Sequence, residues 1–153
     1  MMKFCKILFL SLFLMLSGFT ASGCRLVFEP AEDAVERLLT SLPTGDNIRV
    51  REMCDGEDVC KKLVSLAGLV RSEWYNAQKG FFEIDEELGV EFDEETKYSY
   101  VHVKIKIPAS GSDRAMTLPL VFEMERIKFR WHIYNVEGIE EFLRRAERAR
   151  GIL

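Results

Sequence analysis

Apolar residues recur along this chain with three different periods, and each change of period marks a new element. Ile7 to Leu16 (ILFLSLFLML) is apolar almost without interruption. It falls well short of the ~20 residues that span a bilayer, and it has no polar face for a surface helix to show solvent. From Ala31 the period becomes helical: Ala31, Ala34/Val35, Leu38/Leu39 and Leu42 lie on one stripe. Glu29-Pro30 opens this helix and Pro43-Thr44-Gly45 ends it. A second stripe, Val59, Leu63, Leu66/Ala67 and Val70, follows Asp55 or Asp58 as cap, with Lys61 and Lys62 outside and Gly68 weakening the last turn.

The period then falls to two. Trp74 to Ile84 is aromatic-rich and broken at Gln78-Lys79-Gly80, which predicts two short strands or one bulged strand. Tyr98 to Ile107 alternates most clearly. Ser99, Val101, Val103, Ile105 and Ile107 take one face; Tyr98, Tyr100, His102, Lys104 and Lys106 take the other. After the loop Pro108 to Asp113, Leu118, Leu120, Phe122 and Met124 alternate. Ile127, Phe129, Trp131 and Ile133 then alternate against Lys128, Arg130, His132 and Tyr134. A final helix is expected over about Glu137 to Arg150, with the stripe Ile139, Phe142/Leu143, Ala146 and Ala149.

Helices grouped before a meander predict an α+β fold. The expectation is two N-terminal helices packed on a curved antiparallel sheet of three to five strands, with a C-terminal helix. No internal repeat or linker divides the chain, so residues 30–153 are expected to form one domain.

The leader ends on a more specific signal. Lys3 and Lys6, the apolar run and the small residues after it describe a secretory signal peptide over residues 1–23. Ala21-Ser22-Gly23-Cys24 resembles the bacterial lipobox, with Ala21 where leucine is usual. The resemblance implies lipidation of Cys24, cleavage before it, and palmitate among the acyl chains. Several acyl chains hold a protein to a membrane far more firmly than one. Ordinary signal cleavage beside an incidental cysteine, and an uncleaved anchor, are the plainer alternatives. Residues 24–29 are then a short tether, and Arg25 is not the aspartate that keeps lipoproteins at an inner membrane, which slightly favours an outer one.

Residues Pro30 to Leu42 (PAEDAVERLLTSL) and the F-x-W-x-I strand closing Leu118 to Ile133 give a second resemblance. A lipobox, a short spacer and these two stretches resemble lipoproteins with a nuclear transport factor 2-like, cystatin-like domain. Such a domain implies helices laid across a bent sheet, with a pocket in some members and a partner on the sheet in others.

An oxidising address changes the reading of the remaining cysteines. Cys5 leaves with the leader, so Cys54 and Cys60 form an even pair around the Asp55-Gly56 turn, and a disulfide is expected. Zinc is the sharper alternative, but the only histidines, His102 and His132, lie far away in sequence. Free thiols are the plain one.

Charge narrows the partners. The chain has 153 residues, 21 basic and 25 acidic, for a net charge of -4. That balance argues against a nucleic-acid binder, and 30% charged residues exclude a polytopic membrane protein. Residues 97–136 nevertheless hold seven bases and three acids. If the strands are neighbours, Tyr100, His102, Lys104, Lys106, Lys128, Arg130, His132 and Tyr134 share a surface suited to an anionic envelope partner. The solvated outer face of an amphipathic sheet accounts for the same residues and is the more economical reading. Glu83 to Glu95 carries eight carboxylates and no base, and reads as a solvated hairpin tip; the calcium-loop order is missing. His102 or His132 with Glu123 has the groups for acid–base work, but no hydrolase, zinc-protease or nucleotide motif accompanies them. The expectation is a non-enzymatic binding or assembly module held on the membrane by lipid, with no catalytic residue, metal or cofactor assigned. A small-ligand pocket protein or enzyme of the same fold is the alternative.

Overall fold

A computed structural model describes residues 29–45, 47–72, 80–85, 88, 90–93, 97–109 and 114–151. The leader, Cys24 and the tether up to Phe28 lie outside these residues. So do residues 74–79 of the expected 74–84 strand and residues 110–113 of the 108–113 loop.

The element order is α1 (Ala31–Ser41), a 3-10 turn (Leu42–Thr44), α2 (Asn47–Met53), α3 (Glu57–Val70), β1 (Phe82–Ile84), β2 (Val90–Phe92), β3 (Tyr98–Ile107), β4 (Met116–Ile127), β5 (Arg130–Glu137) and α4 (Ile139–Ala149). The fold is α+β, as the grouping of periods predicts. Among the described residues three helices precede the sheet rather than two. The additional one, α2, buries only Val50 and Met53, so it has no repeating stripe for a sequence to display.

α1 forms as predicted: Pro30 stands at its N-cap, Glu32 and Asp33 occupy its first turn, and Ala31, Ala34, Val35, Leu38 and Leu39 are buried. The expected cap of α3 shifts. Gly56, at φ +97°, takes the N-cap, and Asp58 sits inside the first turn with Glu57. Lys62 reaches Asp58 at 2.6 Å and Glu140 at 2.7 Å, joining α3 to α4 at the surface. These bonds, Asp58 first, raise the Lys62 pKa above its ordinary value.

The sheet is antiparallel, with β1, β3, β4 and β5 as successive neighbours and β2 also on β3. β1 faces residues 103–105 of β3 and β2 faces 99–101. The two short strands are therefore one edge track interrupted between Ile84 and Val90. Along β3 every second residue from Ser99 to Ile107 is buried and the alternate set is half-buried. One face thus meets the helices and the other is open. Leu120, Phe122 and Met124 continue the inner face on β4, with Trp131 and Ile133 on β5. These side chains form one cluster with Leu38, Leu39, Leu63, Leu66 and Phe142 from the helices. Each fully buried side chain of this size contributes about 1.5–3 kcal/mol of burial free energy.

Two connections depart from the expected pattern. Ile127 and Phe129 share the parity of Trp131 and Ile133, yet they are 39% and 66% exposed. Lys128-Phe129 is the two-residue turn between β4 and β5, with Lys128 at φ +60°. Parity carries no face once the chain reverses. Between β5 and α4, Gly138 adopts φ +81°, and a Cβ there would stand 2.8 Å from the Pro119 carbonyl oxygen. Only glycine fits so close to the neighbouring strand.

Cys54 and Cys60 are joined by a disulfide with Cα atoms 5.2 Å apart, linking the end of α2 to the first turn of α3. The same corner covers the outer edge of β5: Cys54 bridges Ile133, and the Asp55 amide donates to the Ile133 carbonyl at 2.7 Å. An otherwise open strand edge is occupied in this way.

Candidate functional site

The open face of the sheet carries most of the residues singled out by the sequence, and the strand register sets their spacing. Lys106 pairs with Thr117, Lys104 with Pro119, His102 with Val121, Tyr100 with Glu123 and Tyr98 with Glu125. On the other side of β4, Glu125 faces His132 and Ile127 faces Arg130. Arg130 is thus ten residues along β4 from Lys106, or about 33 Å at strand rise. The eight expected residues lie along one sheet, but they fall into three groups and do not converge on one point.

At one end, Lys104 lies 3.1 Å from Asp85 and Lys106 4.0 Å from Glu83. Asp85 is buried and its amide donates to the His102 carbonyl at 2.9 Å. The acidic segment is therefore no simple solvated tip: its described part borders β3 and offsets the lysines there. Residues 86, 87, 89 and 94–96 of that segment lie outside the described residues.

The middle is aromatic. A bulge between Glu123 and Met124 pairs Glu123 with Asn135 and Met124 with Ile133, so that Tyr134 falls between the two pairs. Asn135 donates to Glu123 Oε1 at 2.9 Å. Tyr134 leans across β4, its ring 5.5 Å from that of Tyr98 at 67°. Burial first, then hydrogen bonding to Tyr100 and the nearby Glu123, raise the Tyr134 phenol above its ordinary pKa. His102 and His132 are not adjacent: β4 runs between them, and their partners Val121 and Glu125 are four residues apart. The register does not set Glu123 directly opposite either histidine; it faces Tyr100 and Asn135.

The third group, Lys128 and Arg130, is at the exposed hairpin tip. Nearby, Arg126 stacks over the Trp131 ring at 5.6 Å.

A further feature went unread in the sequence. Where β4 begins beside α4, a groove of about 490 Å³ is lined by Ile107, Pro108 and Met116 together with Arg114, Arg145 and Arg148. Glu141 pairs with both Arg144 and Arg145. The signal available was R-R-x-x-R on the last helix, but only tertiary structure sets it beside Arg114. Among the described residues no group of three or more His, Cys, Asp or Glu is arranged to hold a metal, and no helix is long and apolar enough to cross a membrane. Comparison with protein-family models, with curated proteins and with solved structures finds no match to this chain.

Proposed function

We propose that this chain is a lipid-anchored, extracytoplasmic module of a bacterial cell envelope that binds a partner rather than catalysing a reaction. The observation that carries the reading is the Cys54–Cys60 disulfide, because such bonds persist in oxidising compartments. It agrees with the leader and with Cys24 as lipid acceptor. The open sheet face, with Tyr98, Tyr100 and Tyr134 gathered around Glu123, is the surface offered to the partner, and its lysine and arginine ends suit an anionic one. The interior favours outside binding: Leu38, Leu63, Leu66, Phe122 and Phe142 fill the space between helices and sheet, where a pocket of the nuclear transport factor 2-like kind would lie.

Metabolic labelling with palmitate, followed by fractionation, tests the anchor. The wild type takes up label and sediments with membranes, and Cys24→Ala does neither. Unlabelled wild type in the cytosol, still beginning at Met1, overturns the reading. Replacing Lys106, Lys128 and Arg130 together by glutamate tests the anionic partner, which is lost from envelope pull-downs while the fold is kept; Lys104 is left in place because it pairs with the buried Asp85.

One observation favours a second reading. The groove beside α4 is lined by both apolar side chains and arginines, a combination that would suit a small amphipathic anion. Replacing Arg145 and Arg148 by glutamine abolishes binding of such a ligand if the groove is its site.

A further inference from the structure

Five large apolar side chains stand exposed among the described residues, and three of them belong to one end of the molecule. Phe129 and Ile127 are on the β4–β5 hairpin tip. Ile48, 66% exposed, precedes Arg49, which lines one shallow hollow with Phe129, Arg130 and Glu29. Two exposed bases, Lys128 and Arg130, flank Phe129 directly. Lys128 holds φ +60° without being glycine, a conformation that costs free energy in an ordinary turn. The tip thus combines backbone strain with an exposed aromatic ring and adjacent cations.

The chain enters the fold at the same place. The Trp131 indole donates to the Glu29 carbonyl at 2.8 Å, so the first described residue is pinned beside the tip. Cys24 is five residues earlier, at most about 18 Å of extended chain. A lipid on Cys24 therefore keeps headgroups within that reach of Glu29, which shares a hollow with Phe129, whatever path the intervening residues take.

We infer that the β4–β5 tip is the surface on which the tethered domain rests against an anionic bilayer. Phe129 enters the boundary between headgroups and acyl chains, and Lys128 and Arg130 meet the phosphates. The acids nearby are Glu29, which is paired with Arg37 at 2.8 Å, and Glu52 and Glu125. The inference rests on the lipid-anchor reading, since the tether supplies the bilayer. A bilayer suits this patch better than a protein does: one ring between two cations is small for a protein interface but matches the layered chemistry of a headgroup region. Its consequence is orientation. The arginine groove, at the opposite end of β4, is held away from the membrane.

The test uses the full chain, purified with its lipid and reconstituted in phosphatidylcholine vesicles with or without phosphatidylglycerol, using acyl chains brominated for tryptophan quenching. Mass spectrometry first establishes the lipid on Cys24. Phe129→Trp then shows quenching beyond that of the wild type, with blue-shifted emission, and more so with phosphatidylglycerol. Adding Lys128→Gln and Arg130→Gln lowers the inserted-to-free ratio of the tip roughly fivefold for each base removed. Lipidated Phe129→Trp that is quenched no more than the wild type in either vesicle overturns the inference and leaves the anchor standing. A chain without lipid on Cys24 overturns both.

Discussion

The indole N–H of Trp131 donates to the backbone carbonyl of Glu29, a residue 102 positions earlier. This bond closes the domain: the start of α1 is held to the strand that turns at the hairpin tip. Trp131 is 7% exposed, so the bond satisfies a donor that burial withdraws from water. Trp131→Phe keeps most of the ring's burial and removes the bond, at a cost of about 1 kcal/mol. Urea denaturation measures that loss, and hydrogen exchange at the amides of residues 31–34 rises more than elsewhere. Uniform exchange would show that the contact does not hold the helix start.

Lys104 and Asp85 are coupled across the β1 edge. The carboxylate is 7% exposed and the ammonium 36%, so the pair is less desolvated than a fully buried one. Lys104→Met alone is expected to cost about 1–2 kcal/mol, and adding Asp85→Asn restores part of it. A double-mutant cycle reads the coupling; additive losses would remove it.

Gly138 and Gly151 have similar left-handed φ angles, +81° and +77°, in different surroundings. A Cβ at Gly151 meets nothing within 4 Å, whereas at Gly138 it meets the Pro119 carbonyl at 2.8 Å. Gly151→Ala carries only the conformational cost, about 1 kcal/mol. Gly138→Ala adds the clash, and is expected to cost about 2–3 kcal/mol in all. Equal thermal shifts for the two variants would contradict the close approach.

Burial and its hydrogen bonds raise the Tyr134 phenol's pKa, so the folded chain keeps this proton at a pH where the unfolded chain releases it. The contribution is whole below the ordinary tyrosine value of about 10 and is lost as pH rises toward the folded pKa. Stability against urea, followed from about pH 9 to about pH 11, falls in the wild type and falls less steeply in Tyr134→Phe. Parallel slopes would count against the environment described here.

The strand Tyr98–Ile107 was legible residue by residue, because a half-buried strand writes its two faces as alternation. The stripes of α1, α3 and α4 were legible for the matching reason at helical period. α2 was not, since seven residues with two buried side chains hold no period. The β4–β5 reversal was hidden because Lys128-Phe129 lacks the glycine or asparagine that usually marks a tight turn, while apolar parity runs through it unbroken. Asp85 sits in an acidic run that reads as solvated, yet it is buried and paired with Lys104, a residue nineteen positions away.

Local periodicity and turn chemistry, both carried by near neighbours in the chain, determined the α+β class, the inner face of the sheet and the bend that brings Cys60 back to Cys54. Tertiary structure alone decided that Lys104 and Lys106 meet acids, that the two histidines stand apart across β4, and that the chain's entry point lies beside Phe129. Those are pairings between residues distant in sequence, set by strand register and by packing of the whole core, and no local window of sequence contains both partners.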